Sequence, residues 1–165
     1  MRKVISNTTP ILSLIKIEKL DILKELYGQI MIPEAVFNEM EVGKDWLFYT
    51  DLSKIDWIRI EPIQQITSKL YLFDLDAGEA EVIILAQEQK ADLVIMDEIM
   101  GRRYAKQLGL KLTGTLGILL RAKEKGLIDD VAPLISNLIK NGVWISPELI
   151  KVVLKKAGEL RSSTQ

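Results

Sequence analysis

Apolar positions along the chain come in short blocks whose spacing alternates between two periods, and this alternation predicts strands separated by helices. Residues 3–6 are a brief β-branched run ending in Ser6-Asn7-Thr8-Thr9-Pro10, a cluster of cap residues with a proline suited to a first helical turn. Ile11, Leu12, Leu14 and Ile15 then recur at helical spacing, and Leu20, Leu23, Leu26 and Tyr27 form a second helical pattern closed by Gly28. Residues 30–32 read as a second strand, and Pro33 opens a helix that runs through Met40. The stretch 44–65 is the least periodic; it holds Trp46, Phe48 and Tyr49, with a strand expected at 57–60.

From Asp76 onwards the pattern sharpens. Asp76-Ala77-Gly78-Glu79 has the form of a capping box, and its helix is expected to reach about Lys90. Residues 93–96 form a continuous apolar strand of the kind covered on both faces. A helix over 100–108 ended by Gly109, a short strand at 110–112, and helices at 116–125, 131–141 and 147–157 complete the series. Strands alternating with helices imply an α/β domain with a central, mostly parallel sheet and helices on both faces. Ligands of such sheets bind beyond the carboxyl ends of the strands, where the strand order reverses. Two expected strands end there in polar residues, the first at Asn7 and the later one at Asp97-Glu98.

Composition narrows the chemistry. A length of 165 residues suits one domain, read as residues 1–158, with 159–165 a flexible C-terminal tail. The chain has no cysteine and no histidine, which removes disulfides, thiolate metal sites, histidine bases and Ser-His-Asp hydrolysis. What remains is carboxylates, amides, hydroxyls and amines. A formal net charge of −1 and a pI near 5.6 speak against a strongly basic surface, so contact with nucleic acid is expected to be local or metal-assisted. The first apolar run is too short for a signal peptide, and none approaches the roughly 20 residues of a membrane span. The expectation is a soluble, cytoplasmic protein with no membrane partner.

Taken singly, the acidic candidates are ambiguous. Asp97 follows a buried strand, where it either ligates a metal or caps the next helix. Glu98 beside it points elsewhere. Glu79 shares a stripe with Val82, Ile83 and Ala86 that faces the sheet, where a carboxylate is costly without a cation; alternatively it returns to the Asp76 backbone as the capping-box acid. Glu81 is turned about 200° away. Glu39 shares a face with Val36 and Met40 and can equally serve as an ion-pair partner, while Glu34 and Glu41 read as solvated. Converging on one rim, these acids repel and require a divalent cation or raised pKa values. Mg²⁺ or Mn²⁺ suits an all-oxygen ligand set, and a water activated by such an ion cuts a phosphodiester without any histidine. Arg102 and Arg103, directly after the Asp97 strand, either grip a phosphate or form a solvated helix face. Thr113-Gly114-Thr115 precedes a helix whose amides either receive an anion or are simply capped. Trp57 and Trp144 read as packing residues.

Together these features resemble the PIN domain family, and within it a toxin-like group that carries Asn at the first acidic position. The resemblance runs through VISNTTPILSLIKIEKLDILKELYG, IMIPEAVFNEM, LDAGEAEVIILAQEQKADLVIMDE and GRRYAKQLGLKLTGTLGILLRAKEKGLI to a WIS…VLKKAGE ending. It covers nearly all of residues 1–158, leaving 46–71 poorly matched. The spacing from Glu79 to Asp97 (97 − 79 = 18) is similar to that between the last two acids of PIN nucleases. The resemblance implies a three-layer α/β fold and a metal-dependent endoribonuclease acting on single-stranded RNA. It further implies the toxin component of a type II toxin–antitoxin pair, with an antitoxin protein as partner and a homodimeric state. The acidic positions of the family fall on Asn7, Glu39, Glu79 and Asp97. Glu39, Glu79 and Asp97 are then the catalytic acids; Asn7 and Glu98 join them around Mg²⁺ or Mn²⁺; Thr8, Thr9, Arg102, Arg103, Thr113 and Thr115 face the substrate. Most PIN nucleases have Asp where this chain has Asn7, whose carbonyl oxygen can ligate but adds no charge, so the ion binds more weakly or recruits Glu98 or Glu81. The alternative is a catalytically impaired PIN-like module that binds RNA or a protein. A phosphoryl-accepting receiver-like domain is disfavoured, because the first strand ends in Ser6-Asn7-Thr8 rather than in an acidic pair.

Overall fold

The structure is a computed structural model and describes residues 2–66 and 74–160. Five strands, β1 (Val4–Ser6), β2 (Ile30–Pro33), β3 (Ile58–Glu61), β4 (Leu93–Ile95) and β5 (Leu112–Thr113), form one sheet in the order β3-β2-β1-β4-β5. Every pairing is parallel, with Ile5 opposite Met31 and Ser6 opposite Ile95. The helices are α1 (Thr8–Lys16), α2 (Asp21–Tyr27), α3 (Glu34–Val42), α4 (Ala77–Gln89), α5 (Ile99–Gln107), α6 (Thr115–Glu124), α7 (Ala132–Lys140) and α8 (Pro147–Lys156). The result is a three-layer α/β fold. Helix α4 packs on β1 and β2 with α3 and α5 as neighbours, while α1, α2, α6 and α8 make the other helical layer.

The expected elements are present with shifted ends. Helix α3 continues two residues past Met40, and β5 is Leu112–Thr113 rather than 110–112. Gly28 and Gly109 sit at φ of +77° and +76°, the left-handed backbone that ends a helix without a Cβ penalty. Helix α4 is buried all round from Gly78 to Ala86, so the one-sided stripe expected from the sequence is replaced by a helix enclosed by its neighbours. Its buried charges are therefore Glu79 and also Glu81, which accepts from the Ala35 amide at 3.1 Å and caps α3. Trp57 packs as expected; Trp144 does not, being 83% exposed. Most of the expected tail (161–165) lies outside the described residues, but Glu159 is held firmly. Its carboxylate accepts from the Val131 and Ala132 amides at 2.7 and 2.8 Å and meets Lys123 at 2.9 Å, closing the start of α7. Among the described residues no helix is long and apolar enough to cross a membrane.

This topology sets the position of the site. From β1 the chain lays down β2 and β3 on one side, then returns through α4 to β4 on the other side of β1. The strand order reverses between β1 and β4, and Asn7 and Asp97-Glu98 stand at the carboxyl ends of those two strands.

Candidate active site

The Asn7 amide extends the ladder beyond β1, donating to the Ile95 carbonyl at 2.9 Å, so the sheet fixes the residue's place. Asn7 is 3% exposed and stands at the N-terminus of α1, yet its side chain does not cap that helix. Instead Nδ2 donates to Glu98 Oε2 at 3.0 Å. This partner requires the amide nitrogen on that side, which assigns the other atom as Oδ1. Oδ1 is buried with no hydrogen-bond partner. An unpaired buried carbonyl oxygen costs about 1–3 kcal/mol, so a polar partner or ion is expected to meet it.

Glu39 shares the space beside that oxygen. Glu39, from α3, accepts from Thr8 Oγ1 at 2.6 Å. A methyl group built on Gly78 would collide with Glu39 Oε1 and fall 3.2 Å from Asn7 Oδ1, so the bare Gly78 backbone leaves these two oxygens their shared space. Loss of hydration raises the Glu39 pKa; the Thr8 hydrogen bond opposes this, and the charges of Asp76 and Glu98 add to it. Glu79, 8% exposed at the start of α4, is pushed up to about 8, first by burial, then by a side-chain hydrogen bond and repulsion with Asp76, then by Glu98 and Glu39. Gly101 gives Glu79 its room: a methyl there would come within 3.0 Å of Glu79 Oε2. Glu98 is held from two sides, by Asn7 Nδ2 and by the hydroxyl of Thr9.

Asp97 is turned to a different task. Both of its oxygens are engaged by Thr115, the amide at 2.8 Å and the hydroxyl at 2.6 Å, so it fastens the end of β4 to the start of α6. Burial raises its pKa, Thr115 opposes the rise, Glu98 adds to it and Arg102 lowers it. Arg102 Nη1 donates to the Met96 carbonyl at 2.7 Å, which commits one arm of the fork that was expected to grip a phosphate. The anion at the α6 N-terminus is thus Asp97 itself. Thr113 packs its hydroxyl against Gly117, and Arg103 is exposed on α5.

A family model for the PIN domain matches residues 3–159. The chain belongs to the PIN domain family. No curated protein matches it. PIN domains are commonly nucleases and typically use divalent cations.

The residues of this PIN domain suit such an ion. The donors are all oxygens, Glu39 and Glu79 carry raised pKa values, and Asn7 Oδ1 has no hydrogen-bond partner. Among the described residues no three acidic side chains stand close enough to enclose an ion as they are. Glu39 accepts from the Thr8 hydroxyl and Glu98 from the Asn7 amide and Thr9 hydroxyl, whereas Glu79 shares a proton with the Asp76 carboxylate. Of the residues picked out by sequence, Asn7, Glu39, Glu79 and Glu98 come together. Thr8 and Thr9 hold two of these acids, whereas Asp97 and Thr115 engage each other. Asp76 was read only as a helix cap. It is one, accepting from the Glu79 amide at 2.8 Å, but it also belongs to the acid cluster. Its place three residues before Glu79 was the available signal.

Proposed function

We propose that this PIN domain is a divalent-metal-dependent endoribonuclease acting on single-stranded RNA, the toxin component of a type II toxin–antitoxin pair. The observation that carries the metal-dependent reading is the orphaned Asn7 Oδ1 beside Glu39, with Glu98 tethered to the same amide. Asn7, Glu39 and Glu98 would hold Mg²⁺ or Mn²⁺, with Glu79 and Asp76 behind them and Asp97 supporting the β4 end. When bound, such an ion offsets the charge developing on the phosphate and supplies an activated water.

The chain's own groups do the rest. Asn7 and Thr9 orient Glu98, Thr8 orients Glu39, and Glu79 keeps a proton at neutral pH. Arg103, exposed on α5, is the cation of the Arg pair left free to approach a flanking phosphate. The resemblance to toxin-like PIN domains supports the antitoxin partner and the homodimer.

Purified protein is expected to cleave single-stranded RNA with Mn²⁺ or Mg²⁺ and to stop on addition of EDTA. Glu98→Gln is expected to lower metal affinity about 10- to 100-fold and cleavage with it. Cleavage undiminished by EDTA removes the metal mechanism.

A second reading, a catalytically impaired RNA- or protein-binding module, draws on the neutral Asn7 and the absence of a preassembled acid triad among the described residues. Asn7→Asp separates the two. A large gain in metal affinity and cleavage shows that the natural site is impaired. A loss shows that the Asn7-to-Glu98 hydrogen bond is part of a working site.

A further inference from the structure

Beside the acid rim lies a cavity of about 230 Å³ that the proposed reaction does not use. It is lined by Thr8 and Glu39 of the rim, by Leu12 and Met40, and by Trp46, Phe48 and Tyr49 from the stretch with the least periodic sequence. The aromatic wall is built to stay in place. The Trp46 amide donates to the Gly43 carbonyl at 2.9 Å, and the Tyr49 amide to the Trp46 carbonyl at 3.0 Å. The indole lies against Gly43, where a methyl group would stand 3.2 Å from Cδ2 and Cε3. Tyr49 donates its hydroxyl to Glu41 Oε1 at 2.7 Å, and Lys44 meets the other oxygen of Glu41 at 3.2 Å. Even so, Trp46 is 63% exposed.

A tryptophan seated against backbone on one side and open on the other is a stacking platform. Most of its neighbours are apolar or aromatic, no basic side chain among the described residues lines the cavity, and Glu39 of the acid cluster is one of the lining residues. An apolar aromatic slot that ends at a phosphate-cleaving rim matches a nucleotide, base in the slot and phosphate at the rim. Its size suits one planar ring system rather than a helix of a protein partner.

We propose that the Trp46, Phe48 and Tyr49 cavity takes the unpaired nucleobase next to the scissile phosphate, so that the substrate is selected as a single strand by stacking. The inference rests on the ribonuclease reading for the position of the phosphate. A base held in a duplex cannot enter the slot, which makes single-strand preference a consequence of this pocket.

The test measures binding of a fluorescein-labelled single-stranded RNA octamer by anisotropy, in Ca²⁺ buffer, to the full chain. Trp46→Ala is expected to weaken binding about ten-fold, while Trp46→Phe keeps it within about three-fold. Octamers with one abasic residue at each position in turn, tested on the unaltered protein, are expected to show one position with the same loss. That position should add nothing further in Trp46→Ala. The abasic series does not depend on any variant folding. Wild-type binding by Trp46→Ala, or equal binding of all abasic octamers, overturns the proposal, and would leave the slot to a protein partner's side chain. The two readings fail separately. Loss of binding in Trp46→Ala without RNA cleavage under any metal keeps the base pocket and removes the nuclease. Cleavage with KM and binding unchanged in Trp46→Ala removes only the pocket.

Discussion

Glutamine in place of Glu79 removes a carboxyl that burial and its acidic neighbours push up to about 8, while preserving its shape and its ability to donate to Asp76. In the unfolded chain a glutamate titrates at about 4.3. Between those two values the folded protein holds a proton that the unfolded chain has released, so stability is greatest at the acidic end of the window and declines as pH rises toward 8. With solvent screening and a titration shared with Asp76, one such proton across pH 5 to 8 amounts to on the order of 1–2 kcal/mol, or roughly 2–8 °C in Tm for a chain of this size. Thermal melts in EDTA, run at intervals from pH 5 to 9, are the assay. The wild-type Tm should fall relative to that of Glu79→Gln by about this amount, and Mn²⁺ should restore the wild type far more at pH 8 than at pH 5. Parallel curves for the two proteins would refute the crowded-acid account of Glu79. So would a wild type that gains on the variant as pH rises.

Further outcomes follow from the same contacts. Gly78→Ala places a methyl where Glu39 Oε1 now lies, and is expected to lower Mn²⁺ affinity about ten-fold by calorimetric titration, with the circular dichroism spectrum unchanged. Thr115→Val deprives Asp97 Oδ2 of its hydroxyl donor, and should cost about 1–3 kcal/mol in urea denaturation while cleavage falls less than in Glu98→Gln. Glu159→Gln weakens the bonds that hold the α7 start and Lys123, and should cost about 1 kcal/mol in the same denaturation assay, without effect on metal binding.

The parts of this molecule that periodicity reveals are those whose environment is uniform. The run Leu93-Val94-Ile95-Met96 is apolar throughout because β4 is covered on both faces, and its reading as a buried parallel strand holds. The rim it points to was legible from the polar residues after β1 and β4, whereas the strand-order reversal between those two strands is seen only in the folded sheet. Which side chain does what at the rim was not legible. Asp97 and Glu98 are adjacent after a strand, and only the path of the chain into α5 and the approach of Thr115 decide that Asp97 serves α6 while Glu98 meets Asn7. Asp76 has a local duty as a cap that hid its second one, and an amide oxygen left without a partner has no sequence signature at all. Trp46, Phe48 and Tyr49 lie where tertiary contacts with α1 and α3, not repeating local preference, set the backbone. Trp144, read as a packing residue, is exposed because nothing among the described residues covers it.

The central claim is that Asn7, Glu39 and Glu98 share one divalent cation. Crystals soaked in Mn²⁺ and measured for anomalous scattering test it directly. A single peak within ligand distance of Asn7 Oδ1, with Glu39 and Glu98 swung from their threonine partners onto the ion, is the predicted result. Absence of a peak at saturating Mn²⁺, or a peak beside Asp97 that leaves Asn7 Oδ1 untouched, contradicts the account.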